Sequence, residues 1–149
     1  MKKYLFCLGL VFGLLACSEE SRVKNAALEG AQARFQKQMQ DEIGASVTGK
    51  ANLQKTAAKV LTEKSEFEIS SIEIHGEQAN VVAVVKTVPV KARVALIEIM
   101  ARLDAKKEAT FNVSNALGLI AKETGTGDER DVVTMNMILV KKDGWKVSE

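Results

Sequence analysis

The segment Gly44-Ala45-Ser46-Val47-Thr48-Gly49-Lys50-Ala51 comes within one residue of a phosphate-binding loop. Such a loop cradles phosphates on glycine-rich backbone and needs a Ser or Thr after its lysine to reach a magnesium ion, where this chain has Ala51. A strand should also precede the loop, and the residues before Gly44 have helical spacing instead. The segment therefore reads as a glycine-rich connector between two helices. His75 is the only histidine, so no histidine pair exists for a metal, and its place before Gly76 makes it an exposed turn residue. Asp128, Glu129 and Asp131 could offer oxygens to calcium, but Arg130 interrupts them and the regular alternation of a calcium loop is missing, which favours a solvated loop. Met100, Met135 and Met137 carry the thioethers that suit Cu(I). Met135 and Met137 share one strand face with Val133 and Leu139, which makes them core or pocket lining. No catalytic, cofactor-binding or metal-binding set is expected.

The remaining reactive group is the thiol of Cys17. Lys2 and Lys3 precede an apolar run, Tyr4 to Leu15, that falls short of the about 20 residues a membrane-spanning helix needs. The run closes on Leu14-Leu15-Ala16-Cys17: an aliphatic residue, a tolerant position, a small residue, then cysteine. This pattern resembles the lipobox of bacterial lipoproteins, which signal peptidase II cleaves before the cysteine. The resemblance implies a signal peptide over residues 1–16 and acylation of Cys17, with an acyl chain such as palmitate on its lipid. At ~0.8 kcal/mol per buried methylene, one chain anchors marginally and two or more anchor stably. Ser18 at the next position implies, by the enterobacterial rule, an outer-membrane address facing the periplasm.

Removing residues 1–16 leaves 133 residues with 19 basic and 19 acidic side chains, so the excess of positive charge in the full chain belongs mostly to targeting. No electrostatic footprint for nucleic acid remains. Cys7 departs with the signal, leaving Cys17 alone and no disulfide even in an oxidising compartment. Residues 22–149 form one expected domain, large enough to bury roughly two-thirds of its unfolded surface around one core.

Residues 17–21 read as a short lipidated linker, with Ser18 to Ser21 spanning at most ~14 Å when extended. Residues 22–43 predict a helix through Leu28, Ala31, Phe35, Met39 and Ile43, stopped at Gly44; residues 51–63 predict a second, through Leu53, Ala57, Val60 and Leu61. Glu66 to Ile74 alternates like a strand but changes parity at Ser70 and Ser71, which predicts a bulge. After a turn at His75 to Gln78, Asn80 to Val88 is almost continuously β-branched, the pattern of a strand covered on both faces. Pro89 ends it. Residues 91–103 predict a helix whose stripe runs through Val94, Ile97 and Ala101, widened by Leu96, Met100 and Leu103. Residues 106–113 fit strand or helix, Leu117, Ile120 and Ala121 mark a further helix, and 125–131 is a polar loop. The chain closes on a hairpin, Val132 to Lys142 and Trp145 to Val147 around Asp143-Gly144. Trp145 points the same way as Val147, against a helix.

The two N-terminal helices, the segment Gln78-Ala79-Asn80-Val81-Val82-Ala83-Val84 and the closing Leu139-Val140-Lys141-Lys142-Asp143-Gly144-Trp145-Lys146-Val147 resemble small bacterial lipoproteins with a nuclear transport factor 2-like or cystatin-like fold. The resemblance implies an α+β fold, N-terminal helices packed on a curved antiparallel sheet of about four strands. A helical insert, residues 90–128, stands between the second and third strands, where many members simply turn. Because one fold carries many functions, the scaffold does not choose among them. The reading favoured is a non-enzymatic, membrane-anchored envelope lipoprotein that binds an envelope protein partner or a small apolar ligand. The alternative is a lipid-anchored immunity or inhibitor protein that blocks a toxin or envelope hydrolase. An apolar groove under the insert would favour the ligand, and a flat polar patch the inhibitor. The insert is expected to carry specificity as an addition separable from the scaffold.

Overall fold

A computed structural model describes residues 4–148, with side chains from Ser18 onward; the side chains of the expected signal peptide, residues 1–16, and the Cys17 thiol lie outside the described residues. The elements run α1 (Tyr4–Gly44), α2 (Ala51–Glu63), β1 (Glu66–His75), β2 (Gln78–Thr87), α3 (Val90–Ala101), α4 (Ala105–Glu108), α5 (Val113–Thr124), β3 (Asp131–Lys141) and β4 (Trp145–Val147). The fold is α+β. N-terminal helices pack on an open, four-stranded antiparallel sheet whose strands pair in sequence order, and the helical insert stands between β2 and β3, as the sequence predicts. β3 meets β4 with Leu139 opposite Val147 and Lys141 opposite Trp145. Asp143 (φ 52) and Gly144 (φ 117) turn the chain between them, the positive φ that an Asp-Gly pair accommodates.

α1 exists because apolar residues recur every fourth position: Val23, Ala27, Ala31, Phe35, Met39 and Ile43 are all buried. Each large side chain among them contributes about 1.5–3 kcal/mol on burial. Residues 18–21, expected as a short linker, are helical and continue α1 without a break. Within them the half-exposed Glu19 carboxylate accepts hydrogen bonds from Lys141 and Trp145 of the closing hairpin.

The chain divides into two compact units. One holds the start of α1 through Ala31, Glu68–Val84 and the residues from Thr134 on. Here the parity change at Ser70 and Ser71 is visible in β1, where Phe67 and Ile69 and then Ile72 are the half-buried positions. β2 is covered less than its composition predicts. Ala79, Val81, Ala83, Val85 and Thr87 are buried, Val82 and Val84 only half-buried, and Asn80 and Lys86 exposed, so the strand alternates across one well-covered face.

The other unit holds Gln32–Phe67 and Val85–Val133. Phe35 meets Phe67 edge-to-face at 5.7 Å, and Ser65 donates to the buried hydroxyl of Thr87 at 2.8 Å. The insert belongs to this core and is no appendage: Leu96, Met100, Val113, Leu117 and Ile120 are all buried. On α3 the buried face is Ala92, Arg93, Leu96 and Met100, whereas Val94 and Ala101 of the expected stripe are exposed and Ile97 is half-buried. The helix is apolar nearly all round, so periodicity alone could not choose its inward side. Residues 106–113 resolve as α4, a turn and the first residue of α5, with no strand.

Candidate functional site

Pro89 (φ −56) stands at the N-cap of α3, and Asp131 accepts a hydrogen bond from the Val90 N–H at 2.7 Å, placing a carboxylate against the positive end of the helix. At the other end Lys50 Nζ donates to the carbonyls of Met100 (2.9 Å), Ala101 (3.3 Å) and Leu103 (2.6 Å) and lies 3.4 Å from Glu108. The cation thus adds to the backbone closure of the helix end, where the Met100 carbonyl also accepts the Leu103 N–H at 3.3 Å. α5 is fixed just as locally. Asn112 accepts from the Asn115 N–H, Gly125 (φ 68) ends the helix in the left-handed region, and the Thr126 N–H returns to the Ala121 carbonyl. Thr126 is buried, its hydroxyl 2.7 Å from that of Thr124, which in turn donates to Ile120.

These constraints hold a cleft of about 180 Å³ open within the unit that contains the insert. Val88, Pro89 and Ala92 form one side, and Leu117, Gly118 and Ala121 of α5 the other; Thr126, Gly127, Arg130 and Lys64 complete it. Both charged groups are cations, and no carboxylate among the described residues lines it. Arg130 is steadied by donating through Nη1 to the carbonyls of Gly127 (3.1 Å) and Glu129 (2.7 Å). Gly118 sits inside a helix, where glycine costs about 1 kcal/mol relative to alanine. Nothing in the packing demands it, because a Cβ there would meet no atom within 4 Å. A second depression, lined by Asn52, Leu53, Thr56, Glu108 and Phe111, is larger at about 400 Å³, but its carboxylate is already engaged by Lys50.

The residues singled out in the sequence lie elsewhere. Lys50 caps α3 as described. His75 ends β1, largely exposed and 3.9 Å from Glu73. Asp128 and Glu129 are exposed, Asp131 caps α3, and no group of three or more metal-ligating side chains converges among the described residues. Met100 is buried in α3; Met137 is buried and Met135 half-buried on the β3 face that also carries Val133 and Leu139. Trp145 is buried and packs on α1: its indole Nε1 donates to Glu19 at 3.2 Å. The same carboxylate takes a bond from Lys141 at 2.5 Å, and the ammonium stands 5.8 Å from the indole ring centre. That hydrogen bond from Lys141, with its charge, the indole N–H and Arg22, holds the Glu19 carboxyl below the usual range against the opposing effect of desolvation.

Sequence reasoning missed Lys64, Gly118, Arg130 and the buried Arg93, whose Nε lies 3.4 Å from Glu42. Only Gly118 left a signal, a glycine amid helical spacing. No protein-family model matches the chain, and no curated protein or solved structure matches it either.

Proposed function

We propose that this chain is an exported lipoprotein, anchored through Cys17 to the outer membrane and facing the periplasm, that binds a small apolar ligand in the cleft beside its insert without transforming it. The observation that supports this reading is the cleft itself: an apolar wall of Val88, Pro89, Ala92, Leu117 and Ala121 beside a glycine that packing does not require. It is a groove at the insert, which favours a ligand over an inhibitor's flat polar face. The Glu19 bonds to Lys141 and Trp145 lie two residues from Cys17, so the anchor would tie the hairpin near the bilayer surface.

Two comparisons test the reading. Cys17→Ala should move the protein from the membrane to the soluble fraction, and full retention of the variant would count against the anchor. Wild type and Gly118→Trp, purified from the same membranes, should differ in the small molecules that mass spectrometry finds with them. Identical profiles would remove the cleft from consideration.

A further inference from the structure

We propose that the ligand of this cleft carries an anionic group, a carboxylate or a phosphate, on a short aliphatic stem. The inference rests on the reading of the cleft as a ligand site and names the chemistry that site selects. Its only charged lining groups are Lys64 and Arg130, and no carboxylate among the described residues opposes them. This is notable in a domain whose acids and bases otherwise balance after removal of residues 1–16. A cationic ligand would meet two like charges, and a neutral one would leave both cations without an ionic partner on the ligand. A carboxylate or phosphate gains charge-assisted hydrogen bonds from each.

A bare anion is a poor match for the rest of the surface. Val88, Ala92, Leu117 and Ala121 offer only apolar contact, so the favourable occupant places hydrocarbon against them. The volume limits that hydrocarbon. About 180 Å³ is below the roughly 300 Å³ at which pockets begin to enclose drug-sized molecules, so the cleft takes a stem of a few carbons and leaves the rest of a longer molecule outside. Gly118 lines the same space, and a Cβ there would meet no atom within 4 Å, so the cleft wall at this point is bare backbone.

The test uses the full lipoprotein, purified from membranes and placed in nanodiscs of zwitterionic lipid, titrated at pH 7 with hexanoate, hexyl phosphate, hexan-1-ol and inorganic phosphate. Methyl NMR shifts of Ala92 and Ala121 report occupancy of the cleft. At least one of the two hexyl anions should bind about tenfold tighter than hexan-1-ol, and which one leads distinguishes a carboxylate from a phosphate source. Lys64→Gln and Arg130→Gln should each weaken the anion about three- to tenfold while leaving hexan-1-ol unchanged. The preference should also shrink as salt rises, because exposed cations are screened. Gly118→Trp should abolish binding of every hexyl probe. Hexan-1-ol binding as tightly as both anions would overturn the anionic assignment and leave the ligand site standing. Inorganic phosphate binding as tightly as hexyl phosphate, with no effect of Gly118→Trp, would overturn the aliphatic stem. No shift from any probe would overturn both the inference and the ligand-site reading beneath it.

Discussion

Gly30 on α1 and Gly118 on α5 are both glycines inside helices, and the regions around them answer differently to the question of why. A Cβ on Gly30 would lie 2.2 Å from Val147 Cγ2, so the absence of a side chain lets β4 lie against the helix. A Cβ on Gly118 would touch nothing. Both positions give up helix propensity, yet only the first recovers it in packing. The start of α1 and the closing hairpin are thus a region in which residues are chosen for fit. The lining of the cleft is one in which a stabilising methyl is missing without a structural return, an absence that our proposal attributes to a ligand.

The largest expected effect breaks the tight side of this comparison. Gly30→Leu should destabilise the protein by about 3 kcal/mol through overpacking, read as a lowered urea midpoint, and Val147→Ala should recover part of the loss in the double variant. Equal stability of Gly30→Leu and wild type would mean that helix and strand are not in this contact. Lys50→Met should follow at about 2 kcal/mol, because the carbonyls of Ala101 and Leu103 lose the ammonium, that of Met100 keeps only the Leu103 N–H, and Glu108 loses its cation. A loss of a few tenths would show that water caps α3 equally well. Gly144→Val should cost about 1 kcal/mol, since a β-branched residue resists a φ of 117°; unaltered thermal stability would contradict the hairpin geometry.

The smallest effect concerns Glu19. Its carboxyl titrates lower in the folded protein than in the unfolded chain, so its contribution is present above the usual glutamate value of about 4.3 and is lost as pH falls through the lower folded value. Urea unfolding at pH 6, 4 and 3 should show wild type losing more stability on acidification than Glu19→Gln. Parallel curves would remove the ionic contact between the start of α1 and the hairpin.

What could be read in advance divides along similar lines. The repeating apolar positions of α1 and the Asp143-Gly144 turn are local, and local signals survive to the folded state. α3 was legible as a helix but not in orientation: with Val90, Val94, Leu96, Ile97, Ile99 and Met100 spread around it, several faces could serve as the inward one, and the burial of Arg93 beside Glu42 settles it only in three dimensions. Lys50 shows the hazard of a motif read without its partners, for its neighbours in space are the end of α3 and Glu108, some fifty residues away in sequence. The cleft was the least legible feature. Lys64, Pro89, Gly118 and Arg130 come from separate segments, and no spacing links them.

One measurement tests the central claim, that the cleft is left open for a ligand. Gly118→Leu should raise stability to urea by about 0.5–1 kcal/mol, because leucine is the better helix former and its Cβ meets no atom within 4 Å, and in the same preparation it should abolish hexyl-anion binding. A fall in stability would show that Gly118 is required by the fold, and unimpaired binding would place the ligand elsewhere; either result would contradict the account.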